Sequence, residues 1–385
     1  MPLNIVIAPD SFKESLSAKQ VCAAIQQGFR QVFTNAEFHL LPMADGGEGT
    51  VEAMVTATAG HYSCVKALDP LGRPISANYG WLGNSDTAII EVAAASGLHL
   101  VEPEQRDAKI TSSYGTGQLI NDALNHGAKH IILGLGGSAT NDAGAGILTA
   151  LGYRLLDHTM RPVELGGAAL LNVACIDDSD VNKNLSHCKF TIAADVDNPL
   201  CGPRGASAIF GPQKGASAED INLLDHALAH FARLIEQHFA VDVATKPGAG
   251  AAGGIGATLM AAVGGKLQSG SELVIESINL NQHIEQADLV ITGEGRMDGQ
   301  SIHGKAPVAI AKLAQHHQVP VVAICGSTGD GIKQVYQHGV TAVFSVVNQP
   351  QTIQQALTQG HQNIVDTSEN IARSIKLAMQ LNKKC

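Results

Sequence analysis

The chain has 385 residues, 45% of them hydrophobic and 16% charged, with a formal net charge of −10. That length favours two hydrophobic cores over one, and the composition excludes a disordered or fibrous chain. The acidic balance argues against a nucleic-acid partner, and seven cysteines scattered without a CxxC pair read as reduced thiols of a cytoplasmic protein, excluding a disulfide framework or a zinc site.

Taken along the chain, residues 3–8 predict a first strand, entered with no charged n-region of an export signal. Ser17 to Gln20 fits a capping box, and Val21, Ile25, Phe29 and Val32 follow it at helical spacing. Residues 38–43 read as a second strand running into Asp45-Gly46-Gly47-Glu48-Gly49-Thr50, with a helix behind it. Strands are predicted next at 87–92, 130–133, 190–194 and 272–275, with glycine-rich connections between them. An amphipathic helix over 218–239 is expected to turn Leu223, Ala227, Leu228, Phe231, Leu234 and Ile235 toward a core. Residues 248–265 carry no charge, but seven of these eighteen are glycine, so a loop feeding a buried helix is expected and not a membrane span. Residues 136–155 and 248–267 align without gaps, which fits either a duplication or two loop-helix units of similar composition. Buried strands at 288–292, 319–324 and 341–347 then repeat the style of the first.

These elements predict an α/β protein of two domains. Residues 1–65 with 286–385 are expected to form a flavodoxin-like or Rossmann-like parallel-sheet domain, 66–285 an inserted α/β domain, and the active site the cleft between them.

Five polar loops stand at predicted strand ends, where open parallel sheets bind ligands. In Asp10-Ser11-Phe12-Lys13-Glu14-Ser15 the acid and the serines fit turn or cap roles, whereas the flexible Lys13 ammonium suits a phosphate or carboxylate. In the second loop Gly46 and Gly47 permit close backbone approach. Its carboxylates, Asp45 and Glu48, can serve as metal ligand and general base; a turn with a helix cap is the plainer alternative. In the third, Gly134 to Asp142, N–H groups around Gly137 and Ser138 can cradle phosphate oxygens, and Asn141 and Asp142 suit magnesium or ribose. A tight strand-to-helix turn would read the same way. The fourth ends a strand on Asp195 and Asp197, and a carboxylate there can take a hydroxyl proton or hold magnesium. Downstream, Lys214 is a second candidate for phosphate. The fifth, Thr292-Gly293-Glu294-Gly295-Arg296-Met297-Asp298 with Ser301, His303, Gly304 and Lys305, sets an arginine fork beside glycines. Pairing of Arg296 with Glu294 or Asp298 would instead leave a structural salt bridge. Walker A, GxSxG and HExxH patterns are all missing, which leaves hydrolase and zinc chemistry without support.

In order, APDSFKESLSA, ADGGEGTVEA, GGSATNDAGAG, ADVDNPLCG, IFGPQKGAS, PGAGAAGG and ITGEGRMDGQSIHGKAP resemble the bacterial glycerate kinases of the type I family. The resemblance implies ATP- and Mg2+-dependent transfer of the γ-phosphoryl group to D-glycerate, at the 2-hydroxyl, giving 2-phosphoglycerate and ADP. By the physics of phosphoryl transfer, such a site works by positioning and charge neutralisation. Lys13, Arg296 and Lys305 are then expected on phosphate or the glycerate carboxylate, Asp195 as general base, and Asp45, Glu48 and Asp142 on magnesium. Asp10, Ser11, Gly46, Gly47, Gly137, Ser138, Lys214, Gly293 and Glu294 complete the expected substrate and phosphate contacts. A 3-phosphoglycerate-forming kinase, a nucleotide-independent isomerase and a sensor of phosphorylated acids are the alternatives.

Overall fold

The computed structural model describes residues 2–44, 49–83, 85–302 and 305–382. Its strands are β1 (Asn4–Ile7), β2 (Glu37–Leu40), β3 (His61–Leu68), β4 (Pro74–Trp81), β5 (Thr87–Glu91), β6 (His130–Gly134), β7 (Arg154–Leu156), β8 (Cys175–Asp177), β9 (Lys189–Ala193), β10 (Lys266–Gln268), β11 (Leu289–Met297), β12 (Val321–Thr328) and β13 (Ala342–Ser345). Its helices begin with α1 (Ala18–Arg30), α2 (Thr50–Ala57), α3 (Ala93–Ser96), α4 (Tyr114–Asn125), α5 (Ala145–Ala150), α6 (Ala206–Phe210) and α7 (Ala218–Phe239). They continue with α8 (Ala251–Ala262), α9 (Gly270–Ser277), α10 (Leu280–Glu285), α11 (Ala306–His316), α12 (Ile353–Thr358) and α13 (Gly360–Asn382).

The chain divides into two compact units, Met1–Asp45 with Ser271–Cys385, and Gly46–Gly270. The expected limits at 65 and 285 fall elsewhere for a physical reason. Position 65 lies inside β3, which pairs with β4 along its whole length, and α10, ending at 285, buries Leu280 and Ile284 and packs on α11.

The first unit holds a five-stranded sheet in the order β13-β12-β11-β1-β2, every pair parallel. This is the flavodoxin-like order. Its strands are short apolar runs; Ile5, Ile7, Ile291 and Ile324 are fully buried and share a core with Val21, Ile25 and Phe29 of α1 and Ile364 and Val365 of α13. Each such side chain contributes roughly 1.5–3 kcal/mol by leaving water. The expected capping box opens α1: Ser17 Oγ accepts from Gln20 N at 3.4 Å, and Gln20 Oε1 accepts from Ser17 N at 2.9 Å. Gly28 lets α13 approach, because a Cβ there would stand 2.4 Å from Val365 O. The α11 helix packs on β11 and β12 and shares none of its buried residues with that core, so it covers the opposite face. Residues 272–275, expected as a strand, lie in α9. Val274 and Ile278, four apart, are both buried, which is a helical period that the β-branched composition masks.

The second unit holds a six-stranded sheet in the order β10-β9-β6-β5-β4-β3. β10, β9, β6 and β5 run parallel; β4 and β3 form an antiparallel hairpin on the edge that the sequence reading passed over. Its turn is fixed by Asp69, whose Oδ1 accepts from Leu71 N at 2.8 Å and Arg73 N at 2.9 Å. In α7 the core-facing residues are Leu224, Ala227, Leu228, Phe231 and Ile235, while the expected Leu223 is exposed, one residue off the stripe.

The two aligned segments adopt matching structures. α5, Gly152 at φ 102° and β7 correspond in order to the end of α8, Gly264 at φ 59° and β10. Their loops interlock: Ala143 N donates to Gly253 O at 2.9 Å, Thr258 Oγ1 donates to Ala143 O, and a Cβ on Gly253 would stand 2.0 Å from Thr140 O. Among the described residues no helix is long and apolar enough to cross a membrane. Cys22, Cys64, Cys175, Cys188, Cys201 and Cys325 are free.

Candidate active site

In the first unit the site follows from strand order. β1 leads through α1 to β2 on one side, and β11 leads through α11 to β12 on the other, so helices of equal handedness fall on opposite faces. A crevice opens beyond the carboxyl ends of β1 and β11. Asp10 to Lys13 leave β1 there and are pinned onto β11: Asp10 N donates to Gly293 O at 2.8 Å, and Thr292 Oγ1 donates to Ala8 O at 2.8 Å. Asp10 is nearly buried and its Oδ1 accepts from Ser11 N at 2.6 Å. Buried Phe12 anchors a tight turn closed by Phe12 N to Leu16 O and Leu16 N to Phe12 O, both at 2.9 Å, which leaves Lys13 exposed.

From β11, Arg296 extends into solvent with its Nε 3.4 Å from Asp298 Oδ2. A pair whose arginine is this exposed, at 3.4 Å, is worth about 1 kcal/mol, so the guanidinium can exchange Asp298 for a ligand oxyanion. Glu294, expected among the ligand contacts, is buried with both oxygens taken: Ser301 Oγ donates to Oε1 at 2.6 Å and Lys305 Nζ to Oε2 at 2.8 Å. Gly293 answers to packing. A Cβ on it would stand 1.9 Å from Ile324 O of β12. Gly293→Ala is expected to cost at least about 2 kcal/mol by overpacking, measured as a lower urea midpoint; an unchanged midpoint would mean that β12 yields freely.

In the second unit the ends of four parallel strands are in register. Glu91 pairs with Gly134, Gly134 with Ala193, and Ala193 with Gln268. The glycine loop after β6 and Asp195 after β9 therefore leave the same sheet edge. Asp195 is exposed, and its Oδ1 accepts from Gly270 N at 3.2 Å. Asp197 instead faces Arg204 at 3.2 Å on the surface. Gly137, at φ 70°, is the exposed point of the glycine loop; its carbonyl accepts from Leu98 N at 2.8 Å.

Two expected contacts turn out to be internal. Asp142 is fully buried and accepts from Ser113 N at 2.8 Å, Ser113 Oγ at 2.9 Å, Gly144 N at 3.1 Å and Gly146 N at 3.2 Å. Burial pushes its carboxyl up against those four hydrogen bonds, through which it anchors the loop. Lys214 is 2% exposed, and its Nζ donates to Ser138 Oγ at 2.9 Å and Thr140 O at 2.7 Å. Burial pushes this ammonium down to about 7, with Asp142 opposing. Lys214 thus braces the loop from below, and Ser138 is its near-buried partner. Thr140 Oγ1 and Asn141 Oδ1 are buried beside it without a hydrogen-bond partner.

Residues 5–376 match the family model described as the glycerate kinase family. The chain belongs to the glycerate kinase family. It is 50% identical to the Escherichia coli K12 protein named glycerate 2-kinase, over 98% of this chain and 99% of that one. It is likewise 50% identical to the glycerate kinase of Halalkalibacterium halodurans, over 96% and 97%. The fold superposes with a TM-score of 0.89 on the crystal structure of a Salmonella typhimurium LT2 protein assigned as glycerate kinase 2, at 50% identity, covering 99% of this chain and all of that one.

For a member of the glycerate kinase family the metal question falls on few donors. Among the described residues no group of three or more His, Cys, Asp or Glu side chains is placed to hold an ion. Asp45, Gly46, Gly47 and Glu48 lie outside the described residues. Magnesium commonly keeps its waters and takes one or two carboxylates plus substrate phosphates, and such a site needs no protein cage; exposed Asp195 has the chemistry of such a donor. The sequence reading also missed Glu91, whose Oε1 accepts from Val51 N at 2.9 Å. It carries the signal used for Asp195, an acid ending an apolar strand.

Proposed function

We propose that this chain phosphorylates D-glycerate with ATP, placing the γ-phosphoryl group on the 2-hydroxyl to give 2-phosphoglycerate and ADP. What supports the reading is that the loops carrying Lys13, Arg296 and Lys305 follow β1 and β11, the two strands at the flavodoxin-type switch point, in a chain half identical, nearly end to end, to a glycerate 2-kinase. A transferring phosphoryl group spreads charge over its oxygens, and catalysis needs cations placed in advance with a base on the acceptor hydroxyl. Lys13 and Arg296 supply mobile positive charge to phosphate or the glycerate carboxylate, with Asp10 and Ser11 shaping the turn that carries Lys13. Lys305 meets the same anionic groups from the head of α11. Gly137 and its neighbours offer backbone N–H groups to phosphate, while Lys214 keeps that loop in shape. Asp195 takes the hydroxyl proton. Asp45 and Glu48 are the carboxylates expected to hold magnesium, which would supply positive charge to the terminal phosphates.

Purified protein with ATP, Mg2+ and D-glycerate is expected to release ADP only when glycerate is present, and phosphorus NMR is expected to show 2-phosphoglycerate. Exclusive 3-phosphoglycerate would overturn the regiochemistry. Release of ADP indifferent to glycerate would overturn the substrate.

A further inference from the structure

Lys305 occupies an unusual place. It is the N-cap of α11, with no side-chain bond to the helix's first turn. Ser, Thr, Asp and Asn favour this position because their oxygens accept from first-turn N–H groups, and the positive end of the helix dipole disfavours a cation. The ammonium is held there by an internal chain of groups. Lys305 Nζ donates to Glu294 Oε2 at 2.8 Å; Ser301 Oγ donates to Glu294 Oε1 at 2.6 Å; Asp298 N donates to Ser301 Oγ at 3.2 Å. Because the serine oxygen already accepts from Asp298, its proton is committed to Glu294. Ser301 is fully buried, the Glu294 side chain is 9% exposed, and that of Lys305 is 41% exposed. Opposite Glu294 in the β11–β12 pairing is Cys325, a buried thiol that burial pushes up to about 12 and so keeps neutral. One partner of the pair is fixed inside the fold and the other reaches solvent at the carboxyl end of β11.

We propose that Glu294 and Ser301 are positioning residues that hold the Lys305 ammonium at the head of α11 to meet an anionic oxygen group, phosphate or carboxylate, of the reactants. Glu294 offsets the helix dipole while the site is empty, and Ser301 fixes which carboxylate oxygen faces the lysine. This rests on the kinase reading given above, and it assigns Glu294 a role other than touching substrate.

The test is steady-state kinetics on the full chain carrying Lys305→Met, Glu294→Gln, Ser301→Ala and the Glu294→Gln/Lys305→Met pair, with thermal melts alongside. Loss of a placed cation is expected to lower kcat/KM about 100-fold or more in Lys305→Met, and loss of its alignment roughly 10- to 100-fold in Glu294→Gln. Ser301→Ala, a single charge-assisted hydrogen bond, is expected to cost roughly tenfold with little change in melting. The pair is expected to match Lys305→Met within about twofold, since residues acting through one group are not additive. A rise in KM for ATP alone assigns the lysine to the nucleotide, and a rise for glycerate alone assigns it to the acid. Wild-type activity in Lys305→Met would overturn the underlying reading of that lysine. An impaired Lys305→Met beside fully active Glu294→Gln and Ser301→Ala, or strictly additive losses in the pair, would overturn the positioning role alone.

Discussion

Asp195→Asn is expected to leave the fold intact and lower kcat by about 10²- to 10⁴-fold, the usual worth of a placed general base. The side chain is exposed beyond the end of β9, and the hydrogen bond that its Oδ1 accepts from Gly270 N at 3.2 Å is one that an amide oxygen reproduces. The substitution therefore removes basicity with little change in shape. Unfolding in urea should give the same midpoint as wild type, while glycerate-dependent ADP release collapses. A folded variant with full activity would move the proton to another acceptor, and Glu91, in register at the same sheet edge, is the next acid to change.

Lys214→Met should alter the pH dependence of stability. The ammonium's ordinary value is 10.5, and burial brings it down to about 7 in the folded chain. Between those two values the unfolded chain binds a proton that the folded chain has released, so stability rises with pH across the window. Below about 7 both states are charged, and the fold carries the full penalty of a buried cation. The difference in unfolding free energy, wild type minus Lys214→Met, is expected to grow by the order of a few kcal/mol from pH 7 to 10. Urea titrations of both proteins at several pH values measure it. A flat difference would mean that Lys214 stays charged throughout.

The parallel strands were legible because each is a short, continuous apolar run closed by a polar turn, as at 3–8 and 288–292. The edge hairpin of β3 and β4 was not, since its exposed and buried residues mix and its turn is signalled only by Asp69-Pro70-Leu71-Gly72. At 272–275 a local β-branched composition lost to a burial period set by tertiary packing. The loops that carry Lys13, Arg296 and Asp195 could be located from strand ends. The fates of Asp142 and Lys214 could not, because each depends on partners far along the chain: Ser113 for one, Ser138 and Thr140 for the other. A lysine in a glycine-rich turn has the same sequence signature whether it reaches outward to an anion or inward to a carbonyl.

The sheet of the first unit places β1 between β2 and β11, and the Thr292 to Ala8 bond that joins two of them spans 284 positions. On a ribosome adding about 5–20 residues each second, the segment around β1 emerges roughly 15–60 s before its neighbour on that flank. During that interval β1 has an apolar open edge, able to pair with other nascent chains. The second unit, continuous in sequence, can complete itself in the meantime. Synthesis thus gives this enzyme an intermediate with one finished half and one waiting strand, and chaperone depletion should harm its yield more than its ease of refolding from denaturant would suggest.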